Sequence, residues 1–199
     1  PSDVDRIAAE PARLSGLALR LIMSHLACAD EPANAANRAQ LKAFRTLRGR
    51  LPAAPAALAN SAGVFLGPDY HFDLARPGAA LYGLRPTVGV VNPMRPVVRL
   101  DAQVIQVRKI TEGMPVGYGH SWRAARPSWI ATISVGYADG WLRSFEHRGA
   151  VYFAGVRMPI VGRVSMDSIT VDATALAPEK LIPGALVELI GPPQSVDDV

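Results

Sequence analysis

Two side chains capable of proton or nucleophilic chemistry lie close together near the start of the chain. His25 ends an apolar run, and Cys28 follows three residues later. On a βα barrel the carboxyl ends of the strands form the catalytic rim, so His25 is a candidate for acid–base chemistry. A lone histidine at a strand end more often has a structural role, and we interpret Cys28 as a buried, unreactive thiol.

A second group of residues has the equipment for binding a phosphate. Ser61 enters a turn that contains Gly63. A hydroxyl beside exposed backbone N–H groups is typical of phosphate sites; the same hydroxyl can cap a helix, and the two roles are compatible. Gly78 has no side chain to keep a ligand away from the backbone. Arg76, two residues earlier, indicates by itself only a surface charge.

Two glycine-flanked tyrosines mark the second half of the chain. Tyr118 lies in Val-Gly-Tyr-Gly, Tyr137 in Val-Gly-Tyr-Ala-Asp-Gly, and Met166 in Val-Gly-Arg-Val-Ser-Met-Asp. Each motif alone predicts a hairpin turn with an aromatic filler. Two such tyrosines in one small region are nevertheless unusual, because flanking glycines leave a phenol unshielded.

The elements that must position these residues change character along the chain. The first ninety residues alternate apolar runs with amphipathic stretches, which is typical of a parallel sheet or barrel. Three strands cannot close an eight-stranded barrel, so we expect the late part of a TIM (β/α)8 barrel. A capping box of Ser2 and Asp5 predicts a first helix that reaches Leu14 and stops at Gly16. The other predicted elements are a helix over Ala36–Leu47 and strands over Leu17–Ser24, Ala56–Asn60 and Ala79–Leu84.

After Asn92-Pro93 the pattern predicts antiparallel strands and no helix. Val97–Ile110 alternates apolar and polar residues, as a half-buried strand does. We therefore expect an α/β class chain with a partial, ligand-binding barrel over residues 1–92 and a mostly antiparallel β domain over residues 93–199. The other predicted strands are Trp129–Val135, Ala150–Phe153, Met158–Val161, Ser168–Val171 and Leu186–Ile190.

Composition excludes several classes of protein. The 199 residues are 49% hydrophobic and carry a formal charge of +4, but the cations are mostly scattered arginines, which argues against a nucleic-acid partner. The apolar runs are far shorter than the roughly 20 residues that span a membrane. A single cysteine favours a reducing, cytoplasmic location. The chain opens at Pro1 without a methionine, so we expect it to begin downstream of a natural start.

Taken together, the motifs resemble the alanine racemase family. They occur in that family's order over nearly the whole length: MSHLACADEP, LANSAG, RPGAALYG, VGYG, SVGYADG and VGRVSMD. The resemblance implies a fold-type III enzyme that depends on pyridoxal phosphate, with an α/β barrel followed by a C-terminal β domain. It implies interconversion of L- and D-alanine, with D-alanine supplied for peptidoglycan.

The resemblance also implies roles in the first half. His25 matches the family's histidine above the cofactor ring, which links Arg76 to the catalytic tyrosine. Ser61 and the backbone N–H groups of Gly78 and Ala79 match the phosphate site. Arg76 matches the arginine that faces the pyridine nitrogen; because guanidinium has only donors, that nitrogen stays unprotonated and the ring is a weaker electron sink.

In the second half, the resemblance makes Tyr118 the general acid and base at one face of the substrate Cα. A phenol is a poor base at neutral pH, so Tyr118 needs neighbouring positive charge or hydrogen bonds. Tyr137 matches the tyrosine that narrows the entrance, and Met166 the residue whose backbone N–H meets the substrate carboxylate. In the family these three come from the other subunit, which implies a head-to-tail homodimer. We assign no metal ligands.

The resemblance fails at the second base. The family's lysine that carries the cofactor lies on the first barrel strand, which we expect this chain to lack, and Lys42, Lys109 and Lys180 do not match it. We therefore expect the chain alone to be inactive. We also expect it to stop before the family's last β segment. Ala57 replaces a histidine that supports the arginine in some members.

Three alternatives remain open. The chain can be a non-catalytic dimerisation or folding module, because a partial barrel leaves open strand edges that pair with another chain. It can belong to a serine or broad-specificity racemase. A related fold-type III decarboxylase fits less well, since the chain has no Gly-Gly-Gly phosphate loop.

Overall fold

The computed structural model describes residues 2–176 and 179–199. The chain divides into two compact units, Pro1–Val97 and Val98–Val199. The sequence places its boundary at residues 92 and 93, whereas the compact units divide between residues 97 and 98. Each unit has its own buried apolar core.

The first unit pairs two very short parallel strands beside one long helix. Asn34 caps that helix, its side-chain oxygen accepting the N–H of Ala36 at 3.0 Å. Leu41 and Phe44 lie on the buried face and pack with Leu58 at 0% exposure. The regular elements are α1 (Ser2–Ala9), β1 (Ile22–Met23), α2 (Ala35–Arg48) and β2 (Ala56–Ala57).

Several predicted elements of this unit differ from the structure. The strand expected over Leu17–Ser24 is paired only at β1, because the preceding leucines have no strand partner among the described residues. The strand expected over Ala56–Asn60 shortens to β2. The helix expected to reach Leu14 ends at Ala9 and continues as a 3-10 turn from Pro11, whose ring cannot continue an α-helix.

The strand predicted over Ala79–Leu84 is wrong. That segment contains a 3-10 turn, Ala79–Tyr82, which Gly83 ends in the left-handed conformation. Its backbone N–H groups bond to Ser61 and to the turn itself, so they are not available to a sheet. The chain that runs beside β2 comes earlier, where the N–H groups of Leu74 and Arg76 donate to the carbonyls of Ala56 and Ala59.

The described residues of the second unit contain eight β-strands. They are β3 (Leu100–Ile110), β4 (Pro115–Val116), β5 (Trp122–Arg123), β6 (Ser128–Ile133), β7 (Ala150–Phe153), β8 (Val156–Pro159), β9 (Ile169–Asp172) and β10 (Leu186–Ile190). Six of these described strands form an antiparallel sheet in the order β8-β7-β10-β3-β6-β9. Ile160, just beyond β8, bridges Val171 in β9, so the two edges of the sheet approach each other. A separate hairpin, absent from the sequence prediction, joins β4 to β5.

Alternating side chains of these strands form the second core. Val151, Val187 and Leu189 are fully buried, whereas Leu186 on the same strand as Leu189 is 60% exposed. Outside the core, Arg99 ties β3 to β10; its hydrogen bond to Asp101, with the charges of Asp101 and Glu188, raises the pKa of Arg99. The predicted α/β class with a β-rich second half is confirmed.

Across residues 2–176 and 179–199, no helix combines the length and the apolar character needed to cross a bilayer.

We expect Leu189→Ala to lower the free energy of unfolding by about 2–5 kcal/mol, because it leaves a cavity in the second core. Leu186→Ala, on the solvent side of the same strand, is the matched control and should change it by less than about 0.5 kcal/mol. Urea denaturation measures both. Equal effects of the two substitutions would contradict the burial pattern of β10.

Candidate active site

A side chain of α2 holds the loop that carries His25. Gln40 Oε1 accepts the N–H of Ala27 at 2.9 Å, and Gln40 Nε2 donates to the carbonyl of His25 at 3.2 Å. One amide thus satisfies a donor and an acceptor of the same loop just after β1. In the sequence, Gln40 is only one position of the predicted amphipathic helix over Ala36–Leu47. The signal that could have found it is a polar residue on the helix face that turns toward the strand ends.

Asn60 connects His25 to the turn after β2. Its Oδ1 accepts the N–H of Gly63 at 2.8 Å, and its Nδ2 lies 3.3 Å from Nε2 of His25. A Cβ at Gly63 would come within 2.9 Å of the Leu26 side chain and 3.2 Å of Asn60, so a larger residue there would have to displace Leu26.

Ser61 joins the end of β2 to the turn that begins at Gly78. Its Oγ accepts the N–H groups of Gly78 at 2.9 Å and Ala80 at 3.1 Å. The sequence predicts the N–H groups of Gly78 and Ala79 as phosphate donors. In this structure the N–H of Gly78 already donates to the Ser61 hydroxyl. A Cβ at Gly78 would meet nothing within 4 Å, which shows open space over that backbone.

Arg76 is half-buried and is hydrogen-bonded to the backbone just after β1 and just after β2. Its Nη2 donates to the carbonyl of Ser24 at 2.6 Å, and its own N–H donates to Ala59 at 2.9 Å. Its Nη1 is buried and has no hydrogen-bond partner. Within the described chain, no hydrogen bond joins Arg76 to His25, although the resemblance implies that link. A buried donor without an acceptor is costly, so Nη1 is suited to a ligand acceptor.

One cleft of about 470 Å³, within the range of small-molecule sites, is lined by the side chains of His25, Asn60, Ser61 and Arg76. None of its described lining residues is a lysine. Cys28 is half-buried and does not line it, so nothing in the structure favours a nucleophile pair with His25. The residues that bear polar groups into the cleft are His25, Asn60, Ser61, Arg76, Gly78, Ala79, Asp30 and Arg85.

The second unit places Tyr118 on an exposed turn. Its side chain is 70% exposed, and the glycines on both sides adopt positive φ. A Cβ at Gly117 would lie 3.0 Å from the nitrogen of Arg163, and one at Gly162 would lie 2.9 Å from the carbonyl of Val116. The two segments therefore pack backbone against backbone, which requires glycine at both positions.

Tyr137 and Met166 are joined by the same kind of contact. The N–H of Tyr137 donates to Ser165 at 3.0 Å, and the N–H of Ala138 donates to Met166 at 2.9 Å. A Cβ at Gly136 would lie 2.2 Å from the Met166 carbonyl oxygen. The N–H of Met166 has no hydrogen-bond partner in residues 2–176 and 179–199, so it remains a free donor.

Two arginines that the sequence analysis treated as scattered charges lie with these tyrosines. The Arg143 guanidinium sits 5.4 Å from the centre of the Tyr137 ring, a cation–π contact. Arg163 extends beside Gly119 and lies 3.7 Å from Glu146. The available signal was that Arg163 lies within VGRVSMD and that Arg143 follows SVGYADG by three residues. The second unit thus has a cleft of its own, of about 330 Å³. It is lined by Tyr118, Tyr137, Arg143, Arg163, Val164, Ser165 and Met166.

The fold and the two clefts define a chain of the class that joins part of an α/β barrel to a β-rich domain. Residues 1–86 match the family described as "Alanine racemase, N-terminal domain", and residues 97–199 match "Alanine racemase, C-terminal domain". The chain belongs to the alanine racemase family, and the resemblance seen in the sequence is confirmed.

Individual relatives agree. The protein named "Alanine racemase, catabolic" in Mesorhizobium japonicum is 58% identical over 198 residues, covering 100% of this chain and 51% of the relative. Its namesake in Agrobacterium fabrum is 49% identical over 199 residues, covering 100% and 51%. The solved alanine racemase of Bartonella henselae with covalently bound pyridoxal phosphate has a TM-score of 0.89 at 45% identity, covering 99% of this chain and 55% of that chain. The chain spans about half the length of the curated relatives it matches.

We expect Gln40→Ala to speed hydrogen exchange of the Ala27 amide, because Ala27 is exposed and Gln40 is the acceptor of its N–H. Alanine preserves helix propensity, so α2 itself should persist. Arg38→Ala, at an exposed position of the same helix, is the control and should leave that exchange rate unchanged. Exchange at Ala27 that is equally fast in the unsubstituted protein would show that Gln40 does not hold the loop.

Proposed function

We propose that the protein containing this chain interconverts L-alanine and D-alanine with pyridoxal phosphate as cofactor. Membership of the family supports the reaction, and the relatives' names supply the substrate. The observation that carries the assignment is the buried, unpartnered Nη1 of Arg76 in the cleft that Ser61 also lines. Arg76 thereby offers a donor to a ring nitrogen, and Ser61 offers a donor to a phosphate.

The phosphate site fits the chemistry of Ser61. A hydroxyl has two lone pairs and one proton, and both lone pairs of Ser61 are taken by the N–H groups of Gly78 and Ala80. Its proton is therefore left to donate to an anion. The backbone at Gly78 is open to a ligand, so a phosphate can approach the turn closely.

Arg76 fits the aromatic end of the cofactor. It cannot be deprotonated, so its free Nη1 accommodates only an acceptor, such as an unprotonated ring nitrogen. The bond from Nη2 to the Ser24 carbonyl fixes the plane of the guanidinium. Bound pyridoxal phosphate supplies electron withdrawal that acidifies the substrate Cα–H, and Arg76 limits how far that withdrawal extends.

We propose that Tyr118 carries the proton at one face of Cα. Its exposure lets it reach a cleft outside its own unit, and the resemblance assigns it, with Tyr137 and Met166, to the first-unit cleft of a second copy in a homodimer. Arg163 lines the same cleft as Tyr118. The free N–H of Met166 is suited to the substrate carboxylate.

Racemisation needs a second base at the opposite face. The three lysines of the chain, Lys42, Lys109 and Lys180, are all exposed, and none lines the cleft with His25. We therefore propose that a lysine outside these 199 residues acts as the second base.

The direction in which the reaction runs depends on which enantiomer the cell produces and which it consumes. Enantiomers have equal free energy in water, so the enzyme cannot favour a direction and metabolism sets it. We propose D-alanine supply for peptidoglycan in a reducing cytoplasm, with alanine as the substrate. The word "catabolic" in the names of two relatives favours a second use, the consumption of D-alanine.

We expect Tyr118→Phe in the intact protein to lower kcat for D-alanine formation by about 10²–10⁴-fold, because phenylalanine keeps the ring and removes the proton-transferring oxygen. Tyr152→Phe, in β7 and outside the cleft, is the matched control. Chiral chromatography measures turnover, with serine as a competing substrate. A Tyr118→Phe enzyme of normal kcat would overturn the assignment of the base.

The 199-residue chain alone is the second arm of that experiment. With pyridoxal phosphate added, we expect it to form no D-alanine, since it contributes only one of the two bases. Turnover by this chain alone would contradict the two-base proposal. A chain that folds and pairs with a second copy, together with an inactive intact protein, would instead favour a non-catalytic dimerisation module.

Growth experiments distinguish the supply of D-alanine for peptidoglycan from the consumption of D-alanine. We expect the intact gene to restore growth of a bacterium that requires D-alanine, because racemisation supplies that enantiomer from L-alanine. Growth on D-alanine as sole nitrogen source tests the second use. An active enzyme that fails to rescue the auxotroph would contradict the proposed role in peptidoglycan.

A further inference from the structure

The orientation of the Asn60 amide is determined by the backbone. The N–H of Gly63 lies 2.8 Å from Asn60, and an N–H can only be met by the oxygen of an amide. The tight space around Gly63 leaves little freedom for this contact. Nδ2, which carries two protons, is therefore the atom that faces Nε2 of His25 at 3.3 Å.

That contact decides where the proton of a neutral His25 ring lies. A donor facing Nε2 requires a lone pair there, so the ring proton must be on Nδ1. Nδ1 has no hydrogen-bond partner within residues 2–176 and 179–199. We propose that Asn60 is a positioning residue that holds the neutral His25 ring in the Nδ1–H tautomer, so that Nδ1 is an N–H donor of a residue that lines the cleft.

This inference rests on the proposed function for its catalytic meaning. If a tyrosine oxygen alternates between phenol and phenolate beside His25, an N–H donor stabilises the phenolate form. The opposite tautomer would present a lone pair instead and would favour the phenol. Asn60 would thus act on the base through His25, with no contact to substrate.

A second histidine provides an internal reference. Nε2 of His71 lies 2.9 Å from the carbonyl oxygen of Val64, which can only accept, so the His71 proton must be on Nε2. The two rings are therefore expected to be opposite tautomers in one molecule.

Nitrogen-15 NMR of the ring nitrogens tests the proposal on the intact protein, at a pH where both imidazoles are neutral. We expect the proton on Nδ1 in His25 and on Nε2 in His71. Asn60→Asp is the matched variant, because one carboxylate oxygen can still accept the Gly63 N–H while the other demands a proton from His25 Nε2. The variant should move the His25 proton to Nε2 and leave His71 unchanged.

A protonated Nε2 in the unsubstituted protein, or identical His25 signals in the variant, would overturn the proposal. The spectrum does not depend on turnover, so a failed racemase assay would refute the proposed function without affecting the tautomer result. In an active enzyme, we expect Asn60→Asp to lower kcat about tenfold or more with little change in KM. An unchanged kcat would overturn the positioning role.

Discussion

Side-chain hydrogen bonds to the backbone determine the geometry of the first cleft. The parallel strands β1 and β2 pair over only two residues each, too few to fix the loops that leave them. Gln40 holds one loop, Asn60 holds the next turn, and Ser61 binds the turn beyond it. Each of these three side chains forms hydrogen bonds with backbone groups that have no partner in the two-stranded sheet.

The same bonds leave functional groups free. Once Ser61 has accepted two N–H groups, its proton is available, and once Nη2 of Arg76 is bound to Ser24, Nη1 is left as a buried donor. In the second unit, the carbonyl of Met166 accepts the N–H of Ala138, while the N–H of Met166 has no partner among the described residues. Clefts lined by unpartnered donors are suited to anions and ring nitrogens, which agrees with membership of the alanine racemase family.

The second unit positions its residues by a different principle. A curled antiparallel sheet provides a rigid core, and glycines at positions 117, 136 and 162 let neighbouring backbones approach below the distance that a Cβ allows. Tyr118 and Tyr137 are thereby presented on turns rather than buried between strands. Their exposure is the physical feature that makes them available to another surface.

The sequence by itself determined the class of the fold, because hydrophobic periodicity changes at the junction of the two halves, and it determined the family, because six motifs occur in order. β7 and β10 have the bounds that alternation predicts. Only the tertiary structure decided that Ala79–Leu84 forms a turn, since Ser61, which accepts the N–H of Ala80, lies 19 residues away along the chain. It alone revealed Gln40, Asn60, Arg143 and Arg163, because their roles depend on partners that spacing along the chain does not show.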